Sequence, residues 1–199
     1  MTRAKGNAMT KNRLEGFSDC VIAIIITIMV LELRAPHETN PAALVPLVPV
    51  FLSYLLSFVY LGIYWSNHHH LLHAVKHVNG GVLWANLHLL FWLSLVPFVT
   101  AWMGENHFAP WPVALYGTVL LFASIAYYIL TRALISLHGA DSPLTKAVGR
   151  DFKGLISTVI YFVAIPLALV RWWLACALYV VVTIMWLVPD RRIERTLIE

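Results

Sequence analysis

The sequence predicts an all-α integral membrane protein with six transmembrane helices in a single repeat. Of its 199 residues, 60% are hydrophobic and only 12% are charged, and the mean hydropathy is +0.75. A soluble globular domain does not reach this balance. Apolar blocks long enough to cross a bilayer also follow one another closely, which leaves no room for a soluble enzyme domain. We expect one domain over residues 1–199, with spans at about 14–33, 48–75, 82–103, 111–137, 154–170 and 172–188.

The first span, 14–33, differs from an ordinary lipid-facing helix. It has no charged residue between Asp19 and Glu32, and no aromatic residue lies between Phe17 and Phe51, although aromatics make up 13% of the chain. Trp and Tyr normally mark the lipid interfaces of exposed spans. Their absence indicates a helix that other parts of the protein shield from lipid.

The inner end of this span carries Arg13, Ser18 and Asp19, about one helical turn apart. Ionisable groups at such a depth need partners. A capped helix end is an equally good interpretation, since Ser18 and Asp19 could satisfy free backbone N–H groups. Spacing alone leaves both interpretations open.

An aliphatic stripe runs along the same span. Ile24, Ile28 and Leu31 recur at i, i+4 and i+7, and Thr27 adjoins them. If several copies met around an axis, the stripe would form stacked rings of branched side chains, a hydrophobic constriction that gates by dewetting. Simple packing is the alternative, because nearly every position here is aliphatic.

The later spans are separated by helix-breaking residues. Four prolines in Arg34–Pro49 predict a loop and the entry to the second span, and Gly80–Gly81 divides the second span from the third. Pro97 falls inside the third span and should kink it. Pro166 lies near the end of the fifth span, and Arg171 occupies the short turn before the sixth.

The basic residues predict the orientation. Every Lys and Arg except Arg34 and Arg171 falls in a flank on one side of the membrane. Because cytoplasmic loops carry the excess of Lys and Arg, we expect a multi-pass cell-membrane protein with both termini in the cytoplasm. The net charge of +4 is spread over the ends of apolar segments, so topology explains it better than a nucleic-acid partner.

Histidines gather at the end of the second span. His69, His73 and His77 are spaced i, i+4 and i+8, which could offer imidazoles to zinc or haem. A histidine-dependent secondary transporter or metal exporter is therefore an alternative function, and a haem redox protein is a third. Interfacial histidines that only pack are the simpler interpretation, since no Cys or carboxylate lies nearby. We predict no metal and no cofactor.

One more polar residue, Asn86, lies at membrane depth in the third span and must find a partner, for which the polar end of the first span is a candidate. The sequence contains no GxGxxG, Walker, GxSxG or HExxH motif, and no Gly-rich filter loop of the usual potassium-channel kind.

The start of the first span resembles a family signature. Arg13, Phe17, Ser18 and Asp19 stand as R-x-x-x-F-S-D, which resembles the lysosomal potassium-channel family (transmembrane protein 175 family) in its prokaryotic branch. The resemblance extends over about residues 13–188. Its later landmarks are Trp65-Ser66-Asn67-His68-His69, Asn86 and Pro97-Phe98.

The resemblance implies a potassium-permeable channel whose pore is lined by the first helix. Animal members carry two six-span repeats and pair up, so a single-repeat chain is expected to be a homotetramer. Potassium is then the permeant ion, and prokaryotic members also pass sodium more weakly. Lipid and further copies of the chain are the expected partners.

The resemblance also implies roles for individual residues. Ile24 falls where the family has its narrowest isoleucine, and Thr27 where a pore threonine bears on selectivity. Ile28 and Leu31 would form further rings toward the outside. The expected structural network at the inner end of the pore helix comprises Arg13, Phe17, Ser18, Asp19, Trp65, His77 and Asn86.

Overall fold

The computed structural model describes residues 3–139, 142, 144–145 and 152–187, and the regular elements among them are all helices. This confirms the all-α membrane fold class. The helices are α1 (Arg3–Leu31), a 3-10 helix (Pro41–Leu47), α2 (Val48–His73), α3 (Gly80–Ser94), α4 (Val96–Glu105), α5 (Pro110–His138), α6 (Phe152–Val170) and α7 (Trp172–Leu187).

Five stretches of the described chain are long and apolar enough to cross a membrane: Lys11–Leu31, Pro41–His73, Gly80–Glu105, Pro110–His138 and Phe152–Val170. The sixth apolar helix, α7, has 16 residues and is shorter. The end of the sixth predicted span, residue 188, lies outside the described residues. So do several residues used to predict orientation: Lys146, Arg150, Arg191, Arg192 and Arg195.

Turn residues set the helix ends locally. The Asn40 carboxamide oxygen accepts from the Ala43 N–H at 3.1 Å and caps the 3-10 helix. The Asn79 carboxamide oxygen accepts from the Val82 N–H at 2.9 Å and caps α3 in the same way. Gly139 follows α5 with φ +86°, a conformation that favours glycine.

The third span is divided rather than continuous. The chain leaves α3 at Ser94 and begins α4 at Val96, with Leu95 between them. Pro97 lies in the first turn of α4, where a backbone N–H has no helical partner to reach. The proline predicted to kink this span is therefore accommodated at a helix start.

The helices pack around α5, which lies against α3, α4, α6 and α7. α2 packs along α4, and α6 packs along α7. Two glycines permit close approaches: a Cβ at Gly104 would lie 2.7 Å from the Val50 Cα, and a Cβ at Gly117 would overlap the Tyr179 phenol. The first helix, α1, contacts α2, α3 and α4 and lies at the edge of this bundle.

Candidate functional site

The first helix has one face that packs against the rest of the protein. Leu14, Ser18, Ile22, Ile25 and Met29 are all buried on it. Their spacing of three and four residues is that of a single helical face. α1 is thus fixed in rotation about its own axis by this contact.

The opposite face of α1 is open. The exposed fraction of the side chain is 56% for Ile24, 43% for Ile28 and 77% for Leu31. Thr27 is exposed between them, and its hydroxyl donates to the Ile24 carbonyl at 2.9 Å. The four residues predicted to line a pore therefore share a face that no other part of the described chain covers.

A groove runs beside this stripe. Its volume is about 520 Å³, and it lies between the C-terminal half of α1 and the junction of α3 with α4. Ile24, Ile28 and Glu32 form one wall, while Pro97 and Phe98 contribute to the other. The landmark Pro97-Phe98 thus lies across a groove from the aliphatic stripe.

A buried chain of hydrogen bonds joins α1, at Ser18, to α3 and α2. The Ser18 hydroxyl donates to the Leu14 carbonyl at 2.9 Å and accepts from the Asn86 side-chain amide at 2.9 Å. The Asn86 carboxamide oxygen in turn accepts from His68 Nε2 at 2.7 Å. Ser18, Asn86 and His68 are each 0–1% exposed. Since Asn86 uses its amide on Ser18, His68 must carry its proton on Nε2.

Two further contacts hold the same end of α1 to α2. The Trp65 indole N–H donates to an Asp19 carboxylate oxygen at 3.1 Å. One turn earlier, the Glu15 carboxylate lies 3.3 Å from His69 Nδ1. The His69 ring stacks near those of Trp65 and His73, with centroids 6.2 and 6.0 Å away. Polar contacts to two helices therefore anchor α1 at residues Glu15 to Asp19.

Not every residue expected in this network takes part in it. Arg13 and Phe17 are exposed, at i and i+4 on the open face that continues to Ile24. The ring of His77 lies 4.6 Å from that of His138, at the end of α5, and away from Ser18 and Asp19. The structure therefore brings together Ser18, Asp19, Trp65 and Asn86, and leaves Arg13, Phe17 and His77 apart from them.

Three residues in these contacts, Glu15, His68 and His69, are absent from the network predicted from the sequence. A periodic signal was available, because Trp65, His68 and His69 fall on one face of α2 at i, i+3 and i+4.

The histidines do not assemble into a metal-ligand cluster in the part of the chain that the structure describes. No group of three or more His, Cys, Asp or Glu residues there could hold a metal ion. His69 is engaged with Glu15, and the His77 ring lies against that of His138.

The sequence matches a family model over residues 13–97, that of the endosomal/lysosomal potassium channel TMEM175. This region covers most of α1, all of α2 and α3 and the start of α4, and so contains both the open stripe and the hydrogen-bonded anchor.

The chain is similar to a bacterial protein over nearly its whole length and to an animal protein over about two thirds of it. A potassium channel of Chryseobacterium sp. (strain P1-3) is 52% identical over 191 residues, 96% of this chain and 100% of that one. The human endosomal/lysosomal proton channel TMEM175 is 32% identical over 154 residues, 67% of this chain and 30% of that one.

A solved structure shares the fold. The crystal structure of a lysosomal potassium-selective channel TMEM175 homolog from Chamaesiphon minutus superposes with a TM-score of 0.76 at 28% identity, covering 89% of this chain and 96% of that chain. These relatives are channels and not enzymes. The chain therefore belongs to the TMEM175 family of potassium channels.

Proposed function

We propose that this protein is a potassium-permeable cation channel, in which the exposed stripe of α1 lines the pore of a homotetramer. The observation that carries the proposal is the open face of α1, where Ile24, Thr27, Ile28 and Leu31 are all exposed in the isolated protomer. The names of the relatives support it, since the Chryseobacterium protein is a potassium channel and the Chamaesiphon homolog a potassium-selective one.

A pore along this stripe requires several copies of the chain. The stripe lies on the surface of one protomer, so it encloses nothing alone. Four copies placed with their α1 helices around an axis would stack the side chains of Ile24, Ile28 and Leu31 into rings. The groove beside α1, of about 520 Å³, opens next to the stripe and gives a neighbouring copy a surface to occupy.

The constriction selects ions by partial dehydration. Potassium holds its water less strongly than sodium, so a narrow ring of Ile24 side chains that strips part of the shell penalises sodium more. Thr27 supplies a hydroxyl oxygen one turn further along, which partly replaces the lost water. Selection of this kind needs no Gly-rich filter loop, and a closed ring gates by dewetting.

The channel spans the cell membrane with both termini in the cytoplasm. The distribution of Lys and Arg supports this orientation, since Arg34 and Arg171 alone fall in the opposite flanks. The anchored end of α1, near Ser18 and Asp19, is then the cytoplasmic end of the pore. Glu32 lies near the outer mouth, where a ring of carboxylates raises the local cation concentration.

The decisive experiment measures reversal potentials in liposomes or planar bilayers, with potassium on one side and sodium on the other. Wild type should give a potential that favours potassium. Replacing Ile24 by Asn should raise conductance and shift the reversal potential toward zero, because a ring of hydrated Asn side chains around the pore no longer excludes water.

The matched control is Val159→Asn on α6. Val159 is 55% exposed, against 56% for Ile24, so both substitutions place an amide on an open aliphatic face. Val159→Asn should leave the reversal potential unchanged. Equal effects of the two substitutions, or no effect of Ile24→Asn, would show that Ile24 does not form the constriction.

The histidine-dependent transporter or metal exporter is not favoured. The relatives are named as channels, and His69 is engaged with Glu15. Flux that appeared only under an imposed proton or metal gradient would revive this alternative.

A further inference from the structure

A second cavity lies on the other side of the bundle from the aliphatic stripe. Its volume is about 510 Å³, within the range of roughly 300–1,000 Å³ typical of small-molecule sites. α2, α5 and α6 form its walls, and Trp186 of α7 closes part of one side. None of its lining residues belongs to α1, so the pore does not account for it.

The cavity has the depth of one membrane leaflet. Along α5 its lining runs from Ser124 to Ile135, and along α6 from Phe152 to Tyr161. At the helical rise these stretches measure about 16 and 14 Å, close to half of a hydrocarbon core of about 30 Å. The cavity therefore reaches from one membrane surface to about the midplane.

Several polar groups in the walls are already hydrogen-bonded within the protein. Ser124 and Thr158 share a hydrogen bond at 2.8 Å, and the Thr131 hydroxyl donates to the Tyr127 carbonyl at 2.9 Å. Ser157 accepts from the Trp186 indole at 2.8 Å. These paired groups are not free to bind a polar ligand, whereas a hydrocarbon chain needs no such partner.

The mouth of the cavity is basic. Arg132 lines it, is exposed, and has no hydrogen bond or ion pair to the part of the chain that the structure describes. Lys153 flanks the same end, between the lining residues Phe152 and Gly154, with its ammonium 6.0 Å from the Trp186 ring centroid. Basic pockets between transmembrane helices bind anionic lipid headgroups.

From this combination we propose that the cavity holds an anionic phospholipid of the adjoining leaflet, with an acyl chain between α2, α5 and α6 and the phosphate on Arg132. The depth of the apolar cavity matches an acyl chain, and the positive charge at its mouth matches an anionic headgroup. This site is separate from the pore and does not depend on ion permeation.

The test is native mass spectrometry of the full-length protein after reconstitution in vesicles of equimolar phosphatidylcholine and phosphatidylglycerol. Wild type should retain phosphatidylglycerol in preference to phosphatidylcholine. Arg132→Gln should reduce that preference roughly tenfold, because one charge-assisted contact to the phosphate is lost. Ile125→Trp, which fills the cavity from α5, should reduce retention of both lipids.

Arg171→Gln is the matched control, since it removes an exposed arginine from the turn between α6 and α7, away from the cavity. It should behave as wild type. The proposal is overturned if Arg132→Gln keeps the full preference, if Arg171→Gln loses it equally, or if Ile125→Trp retains both lipids as wild type does.

Discussion

Asn86 connects three helices with one side chain. Its amide donates to Ser18 on α1, and its carboxamide oxygen accepts from His68 on α2, while Asn86 itself belongs to α3. All three side chains are buried, so none can turn to water if a partner is removed. A buried polar group left without a partner costs about 1–3 kcal/mol.

Asn86→Leu should therefore lower the free energy of unfolding in detergent by about 2–4 kcal/mol, since both Ser18 and His68 lose a partner. Asn106→Leu is the control, because Asn106 is exposed and its side-chain amide bonds only to the Trp102 carbonyl of its own turn. A denaturant titration followed by tryptophan fluorescence measures both. Similar losses for the two variants would contradict a special role for the buried contact.

For individual residues, the sequence predicts that buried polar side chains need partners, but it identifies those partners only in part. It shows that Asn86, deep in a span, must find a partner, and that Ser18 and Asp19 form a polar helix end. It does not show which of three consecutive histidines faces inward, because the rotation of α2 depends on how it packs against α4. His68 is buried, while His69 and His70 are only partly so.

The packing of α5 against α7 depends on the absence of a side chain at Gly117. Gly117 of α5 faces the phenol of Tyr179, whose hydroxyl donates to the Val113 carbonyl at 3.1 Å. Any Cβ at residue 117 would overlap that ring. The ring is fully buried, so it has no open space to move into.

Gly117→Val should consequently lower the melting temperature in detergent, with a loss of about 1–3 kcal/mol from overpacking. Gly62→Ala is the control: no atom lies within 4 Å of a Cβ built there. That replacement should be neutral or stabilise α2 by up to about 1 kcal/mol. An unchanged melting temperature for Gly117→Val would mean that α5 and α7 are less closely fitted than described.

The sequence predicts well where helices occur in the chain. It predicts less well whether each helix is unbroken. Hydropathy is a local property, and each predicted span corresponds to apolar helix in the structure as far as it is described. The third span shows the limit. Pro97 predicted a kink, but whether a proline bends a helix or begins a new one depends on the neighbours that receive its backbone groups.

The whole molecule is predicted to be complete only as an oligomer. If four copies surround the pore, the purified protein should have four times the protomer mass of 22.5 kDa, after correction for bound detergent. Light scattering coupled to size-exclusion chromatography measures this mass. A stable monomer or dimer that still conducted potassium would refute the tetrameric pore.

No sequence pattern in a single chain could decide that assembly. The stripe of Ile24, Ile28 and Leu31 looks the same whether it faces lipid, a neighbouring copy or water. The structure narrows the choice only by showing that the rest of the protomer leaves this face open. The number of copies depends on the shape of surfaces that do not meet within one protomer.

The hydrogen bonds that hold α1 to α2 and α3 lie near Ser18, so a tilt of α1 would pivot about that residue. Beyond Asp19, the side-chain hydroxyl of Thr27 bonds only to α1 itself, and the remaining contacts to α2, α3 and α4 are apolar. Leu31 lies about 20 Å from Ser18 along the axis, and Ile24 about 9 Å. A tilt about Ser18 would therefore move Leu31 about twice as far as Ile24. In the proposed pore, this tilt would widen the ring at Leu31 more than the ring at Ile24.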